Sequence, residues 1–254
     1  MYIKYVIPFY YTLKTRITGK EKKIAYLFTF IFPALIVSYL LNKSNFNFVI
    51  FLFGLLGLMS IYEIGYLRND IITTKKERNP TKRLSDQEYL YVENQFSKIL
   101  ILKYLLFLVI SLYLYFYSGA NVIFYIINIL LIEVFYYIHN SVRNRWNLIS
   151  FFILSNLRYS TVAILFTDQY FFVQLVFLCT ISILRLLEKA SEKKYKFILF
   201  EKAFKNLNLA RLIYYSILLL ISIIIDYSTI ITVLTLFFLI YRLGIYVWKR
   251  GNKI

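Results

Sequence analysis

Apolar residues in this chain fall in long runs, and charged and amide residues gather in the short connections between them. A bilayer core is crossed by about 20 helical residues. Runs of that order cover residues 24–41, 48–67, 99–118, 122–139, 148–167, 170–187, 209–226 and 228–248. The pattern predicts an all-α, multispanning transmembrane bundle of about eight spans. Pro33 predicts a kink in the first span. Residues 1–23 open on aromatic and moderately apolar positions and close on Lys14, Arg16, Lys20, Lys22 and Lys23. Lys4 interrupts their apolar part and no small-residue cleavage site follows, so the segment reads as an interfacial helix rather than a signal peptide.

A few polar residues interrupt the runs: Glu63 near the end of the second, Asn128 and Glu133 in the fourth, Asn156 and Arg158 in the fifth. A charge at that depth costs about 2.5–3.5 kcal/mol on insertion scales, so Arg158 should face a polar interior rather than lipid. Two partners stay open for it, the Glu133 carboxylate on the preceding span or a substrate phosphate.

The chain has 254 residues, of which 60% are hydrophobic and 20% aromatic, and a mean hydropathy of +0.63. One soluble core of this length cannot bury so much apolar surface, so the chain belongs in a membrane. A net charge of +17 would suggest nucleic acid in a soluble protein. Here Lys and Arg crowd residues 1–23, 68–98, 140–147, 185–211 and 249–253, while the opposite side carries Lys43 and little else. That division fixes topology and favours anionic lipid as the contact, with no nucleic-acid partner. By the positive-inside rule it places both termini and the basic segments in the cytoplasm, in the cell's inner (plasma) membrane. Cys179 and His139 each stand alone, which excludes a disulfide framework and a Cys/His metal centre. There is no Ser/His/Asp set, P-loop or GxGxxG sequence, and no Gly- or Ser-rich linker, so the chain reads as one domain over residues 1–254.

The densest chemistry lies in residues 68–84, directly after the second span. Continuous helix over residues 62–78 would bring Asp70, Thr73 and Glu77 to one face at i, i+3 and i+7. Oxygen ligands without nitrogen or sulfur suit Mg²⁺ or Mn²⁺. Arg68, Lys75, Arg78, Lys82 and Arg83 would surround a bound phosphate. The alternative is a solvated loop whose charges only set topology. Glu188 and Glu192, four apart at the end of the sixth span, form a second acidic pair. Both pairs would hold divalent cations across one diphosphate; alternatively Arg185 pairs with Glu188 and Glu192 with Lys196. Arg143, Arg145 and Arg158 offer guanidinium clamps for phosphate or carboxylate, with membrane flanking as the other role of the first two.

Tyr62-Glu63-Ile64-Gly65-Tyr66-Leu67-Arg68-Asn69-Asp70, followed by Thr73 and Glu77, resembles the first N-D-x-x-D-x-x-x-D signature of the UbiA superfamily of intramembrane prenyltransferases. Thr73 stands for the middle Asp and Glu77 for the last. Glu188 and Glu192 stand where the second acidic motif would be, and residues 137–145 resemble the basic segment between the fourth and fifth helices. Residues 78–83, 154–159 and 185–188 are similar to motifs of the polyprenyl-phosphate phosphoribosyltransferase branch. The resemblance implies a UbiA-like bundle with a cytoplasm-facing polar cavity. It also implies Mg²⁺-assisted departure of diphosphate, favoured as 5-phosphoribosyl transfer from phosphoribosyl diphosphate to a polyprenyl phosphate. Classical prenyl transfer to an aromatic or other acceptor is the alternative, and non-catalytic lipid binding a third reading. The implied catalytic residues are Asp70, Glu77 and Arg158. Asn69, Thr73, Arg78, Lys82, Arg83, Arg143, Arg145 and Arg185 would bind substrate, and Asp70, Glu77, Glu188 and Glu192 the metal. The implied partners are a polyprenyl lipid, a diphosphate-bearing co-substrate and membrane lipids, and a homo-oligomer is compatible with them.

Overall fold

A computed structural model describes residues 3–77, 80–119, 121–142, 144–225 and 228–251, and their regular structure is entirely helical. The order is α1 (Ile3–Val6), α2 (Tyr10–Thr15), α3 (Lys20–Tyr26), α4 (Phe32–Leu41), α5 (Phe48–Arg68), α6 (Asp86–Asn94), α7 (Phe96–Ser118) and α8 (Asn121–Ser141). It continues through α9 (Asn147–Ser160), α10 (Tyr170–Phe177), α11 (Ile183–Ala190), α12 (Ile198–Ala203), α13 (Leu207–Ile225) and α14 (Thr229–Gly251). Among the described residues, 8 helical stretches are long and apolar enough to cross a membrane, as the hydrophobic runs predict.

Local chemistry explains the breaks. Pro33 lacks the N–H that would continue the α-helical ladder, and the first span absorbs it by widening into a π turn over Leu27–Ile31 between α3 and α4. Asn47 starts α5 by accepting from the Val49 N–H at 2.8 Å. At its other end α5 passes into a π turn over Asn69–Thr73 and a 3₁₀ turn over Thr74–Lys76. The continuous helix expected over residues 62–78 is therefore absent. Glu77 is extended, with φ −92° and ψ 137°, so Asp70, Thr73 and Glu77 do not share an α-helical face. Ser85 and Glu88 close a capping box at the start of α6.

The chain divides into two compact units, Met1–Arg143 with Leu157–Tyr170, and Asn144–Asn156 with Phe171–Ile254. In the first, α5 is the central element: 72% of its span is buried, against 28% for α7. Gly65 lets α8 approach, because a Cβ there would meet the Tyr136 ring at 2.5 Å. The Tyr125 hydroxyl donates to the Gly54 carbonyl at 2.9 Å. Below the end of α5, Tyr5 and Tyr11 pack with Leu67, Ile71, Leu84, Val92 and Ile99. The N-terminal segment is thus amphipathic with its inner face built into this core, while Ile3, Ile7 and Leu13 stay exposed. In the second unit α13 packs along α14, and Tyr215 stacks on Phe238 at 5.0 Å. Ile217, Leu220 and Ile224 on α13 are exposed, as hydrocarbon-facing residues should be.

Candidate functional site

The polar chemistry of the first unit converges on Asp70, which the π turn carries into the core with 6% exposure. Its Oδ2 accepts from the Tyr11 hydroxyl at 2.7 Å. Its Oδ1 accepts from Arg16 Nη2 at 2.9 Å, Arg83 Nη1 at 3.2 Å and Asn69 Nδ2 at 3.2 Å. Two guanidiniums and one carboxylate leave the cluster with net positive charge. Burial and the adjacent Asp70 carboxylate push the Tyr11 hydroxyl far up, so it stays a donor. Burial opposes the Arg16 charge, and the hydrogen bond and charge of Asp70 outweigh it, raising the guanidinium above its ordinary value.

Arg158 is the second centre of positive charge. It is 7% exposed, and its guanidinium carbon lies 4.3 Å from the ring centres of both Phe30 and Tyr62 and 5.5 Å from Tyr26. Nη2 donates to the Tyr26 hydroxyl at 2.9 Å and Nη1 to the Tyr62 hydroxyl at 3.4 Å. Nε has no partner, and no carboxylate among the described residues pairs with this arginine. Arg16 repeats the arrangement, with its guanidinium 4.5 Å from the Tyr66 ring and Nη1 unpartnered. Tyr62 and Tyr66 are one turn apart on α5 and meet edge to face at 5.3 Å. Both arginines are therefore carried on the same aromatic turn.

The other intramembrane acids are neutralised. Glu63 is paired with Lys103 at 2.8 Å, with no exposure on either side, and also accepts from the Thr12 N–H at 2.7 Å. Glu133 binds Arg68 at 2.9 Å and Tyr104. Pairing of Arg158 with Glu133 is thereby corrected: the carboxylate is held by α5 and α7. Asn128 donates to Thr161 Oγ1 at 2.7 Å and the Leu157 carbonyl at 3.0 Å.

The remaining expected residues scatter. Lys82 pairs with Asp86 at 2.9 Å on an exposed stretch. Thr73 is half-buried in the π turn and Glu77 half-buried beyond it. A cavity of about 230 Å³ beside Asp70 is lined by Thr74, Pro80, Thr81, Arg83 and Tyr89. Arg78 and Arg143 lie outside the described residues. In the second unit Glu188 receives Arg211 through Nε at 2.5 Å and Nη2 at 3.0 Å. Glu192 binds Lys189 at 2.7 Å and Lys194 at 3.1 Å. Neither takes the partner its helix spacing suggested. Arg185 lies 5.7 Å from the Phe151 ring and Arg145 5.1 Å from the Phe197 ring. Arg185, Glu188 and Glu192 line a cleft of about 940 Å³ with Lys189, Lys193, Lys202 and Lys205.

These donors do not fit Mg²⁺ or Mn²⁺. A hard cation needs about six oxygens, whereas both Asp70 oxygens already face cationic or hydroxyl donors and Glu188 is clasped by an arginine. No group of three or more His, Cys, Asp or Glu residues converges among the described residues. Tyr11, Arg16, Tyr26, Phe30, Tyr62 and Lys103 were not legible as site residues. Lys103, a lone cation in a long apolar run, was the one available signal. Compared with family models, curated proteins and solved structures, the chain matches none.

Proposed function

We propose that this chain is an integral-membrane, UbiA-like transferase whose first unit receives the phosphorylated head of an isoprenoid lipid. Arg158 carries the proposal: a guanidinium buried in a span, caged by Tyr26, Phe30 and Tyr62 and lacking a carboxylate, is what an anionic ligand would complete. The motif order along the sequence supports the reaction class, with 5-phosphoribosyl transfer favoured. In that reaction an oxygen of the lipid phosphate bonds to C1 of the ribose while the C1–O bond to diphosphate breaks. Arginines that face the departing diphosphate stabilise its growing charge more than the ground state's. Prenyl transfer to another acceptor is the alternative within the same class. A non-catalytic lipid-phosphate carrier is favoured by a different observation, the occupation of Asp70 by Tyr11, Arg16 and Arg83.

The test is to incubate the full chain in nanodiscs with phosphoribosyl diphosphate and polyprenyl phosphate, or with prenyl diphosphate and an aromatic acceptor, and to identify products by mass spectrometry. A phosphoribosylated lipid, lost with Arg158→Met, is expected. Prenylated acceptor alone would select the alternative, and lipid-phosphate binding without either product would select the carrier.

A further inference from the structure

We propose that Asp70 is a positioning residue for arginines rather than a metal ligand, so that the first unit binds a phosphate head group without a divalent cation. This rests on the reading of that unit as a phosphate site and specifies how the site is charged.

Three observations carry it. The first is donor occupancy. Asp70 Oδ1 accepts from Arg16, Arg83 and Asn69, and Oδ2 from Tyr11. A cation placed on these oxygens would displace those donors and meet two guanidiniums at short range, which is repulsive inside a low-dielectric bundle. The second is the set of arginine donors that remain unsatisfied. Arg16 gives Nη2 to Asp70 and lies over Tyr66, while its buried Nη1 has no partner. Arg158, on the neighbouring turn of the same aromatic surface, has its Nε unpartnered. Guanidiniums with spare buried donors need an acceptor with several oxygens, and a phosphate supplies it. The third is the state of the nearby acids. Glu63, Glu88, Glu93 and Glu133 are each held by another cation, Lys103, Lys14, Lys75 and Arg68 respectively. The cluster's positive charge is therefore not cancelled by any of them.

Asp70 thus does for Arg16 and Arg83 what an orienting carboxylate does beneath other functional cations: it holds one nitrogen of each, and in Arg16 leaves the buried Nη1 free for a ligand. The charge that Mg²⁺ would bring to a diphosphate is supplied here by arginine side chains, whose planar forks also match phosphate oxygens.

The experiment uses the full chain in nanodiscs, with farnesyl phosphate as the anionic probe and farnesol as its uncharged control. Affinity for farnesyl phosphate in EDTA is expected to equal that in millimolar Mg²⁺. Asp70→Asn should weaken farnesyl phosphate by about tenfold or more while leaving farnesol unchanged. A general structural loss would weaken both. Binding that disappears in EDTA and returns with Mg²⁺ overturns the inference and keeps the phosphate site, and it needs no variant. A folded, monodisperse protein that binds farnesol and farnesyl phosphate equally, with or without Mg²⁺, overturns the phosphate reading itself.

Discussion

Lys103 of α7 and Glu63 of α5 form a salt bridge at 2.8 Å in which neither side chain has any exposure. Lys103 also reaches the Val6 carbonyl at 3.3 Å, and Glu63 takes the Thr12 N–H at 2.7 Å. One ion pair therefore fastens the N-terminal segment to two spans. Lys103→Met leaves Glu63 as a buried unpaired carboxylate and should destabilise the protein by about 3–5 kcal/mol. Adding Glu63→Leu should recover most of that loss. Thermal unfolding in detergent with both variants checks it; an additive double variant would mean the two side chains are uncoupled.

Arg158→Met should behave in the opposite way. It strands no carboxylate, because Glu133 is held by Arg68 and Tyr104. The variant loses contacts with three rings, worth about 0.5–2 kcal/mol each, and sheds a buried charge costing about 2.5–3.5 kcal/mol. The three contacts together are worth about 1.5–6 kcal/mol, so the balance runs from about 2 kcal/mol of stabilisation to about 3.5 kcal/mol of destabilisation of the empty protein. A drop in unfolding stability beyond that range would show that the cage is structural and would weaken the ligand assignment.

Gly65→Ala should disrupt the approach of α8 to α5. The new Cβ would lie 2.5–2.6 Å from three atoms of the Tyr136 ring. Overpacking of this kind costs about 1–3 kcal/mol, which exceeds the roughly 1 kcal/mol that alanine gains in helix propensity. Lower thermal stability is the expected measurement, and the penalty should shrink in a Tyr136→Ala background, which lacks the Cγ and Cδ atoms that the new Cβ meets.

Acid should loosen the packing of α2 against α6. The Lys14 ammonium beside Glu88, with help from the Ser85 cap, holds that carboxyl below its ordinary value. A carboxylate depressed in the folded state contributes stability above its unfolded pKa, and the contribution is lost as pH falls through the folded one. Glu88→Gln should therefore lower stability at neutral pH by what the ionised pair contributes, leave it unchanged in acid where Glu88 is already protonated, and so flatten the acid limb of the stability profile. An unchanged acid limb would assign acid sensitivity to other groups.

The charge distribution also predicts sidedness. A cysteine introduced at Ser85 should be labelled only from the cytoplasm and one at Gly119 only from outside. Reversed labelling would invert the orientation that Lys and Arg imply.

Hydrophobic runs alone determined that the chain is helical and multispanning, because a backbone in hydrocarbon must satisfy its own hydrogen bonds and only a long apolar helix does so. They also marked Arg158 and Glu63 as residues needing partners, since an intramembrane charge is costly wherever the chain goes. Partner choice came from the tertiary structure. Tyr11 and Arg16 reach Asp70 across 59 and 54 residues, and Tyr26 reaches Arg158 across 132. Helical periodicity relates only residues three, four or seven apart, so it offered Thr73 and Glu77 to Asp70 and Lys196 to Glu192. The π turn at Asn69–Thr73 broke the first of these sets, and Lys189 and Lys194 took Glu192 from the second. The aromatic residues show the same division. Sequence composition counted them only towards the apolar content of a membrane chain, but packing around α5 turned Tyr26, Phe30, Tyr62 and Tyr66 into supports for two arginines. A ring's apolar rim gives no sign in sequence of which cation its face will meet; that is fixed only when helices distant in the chain pack together.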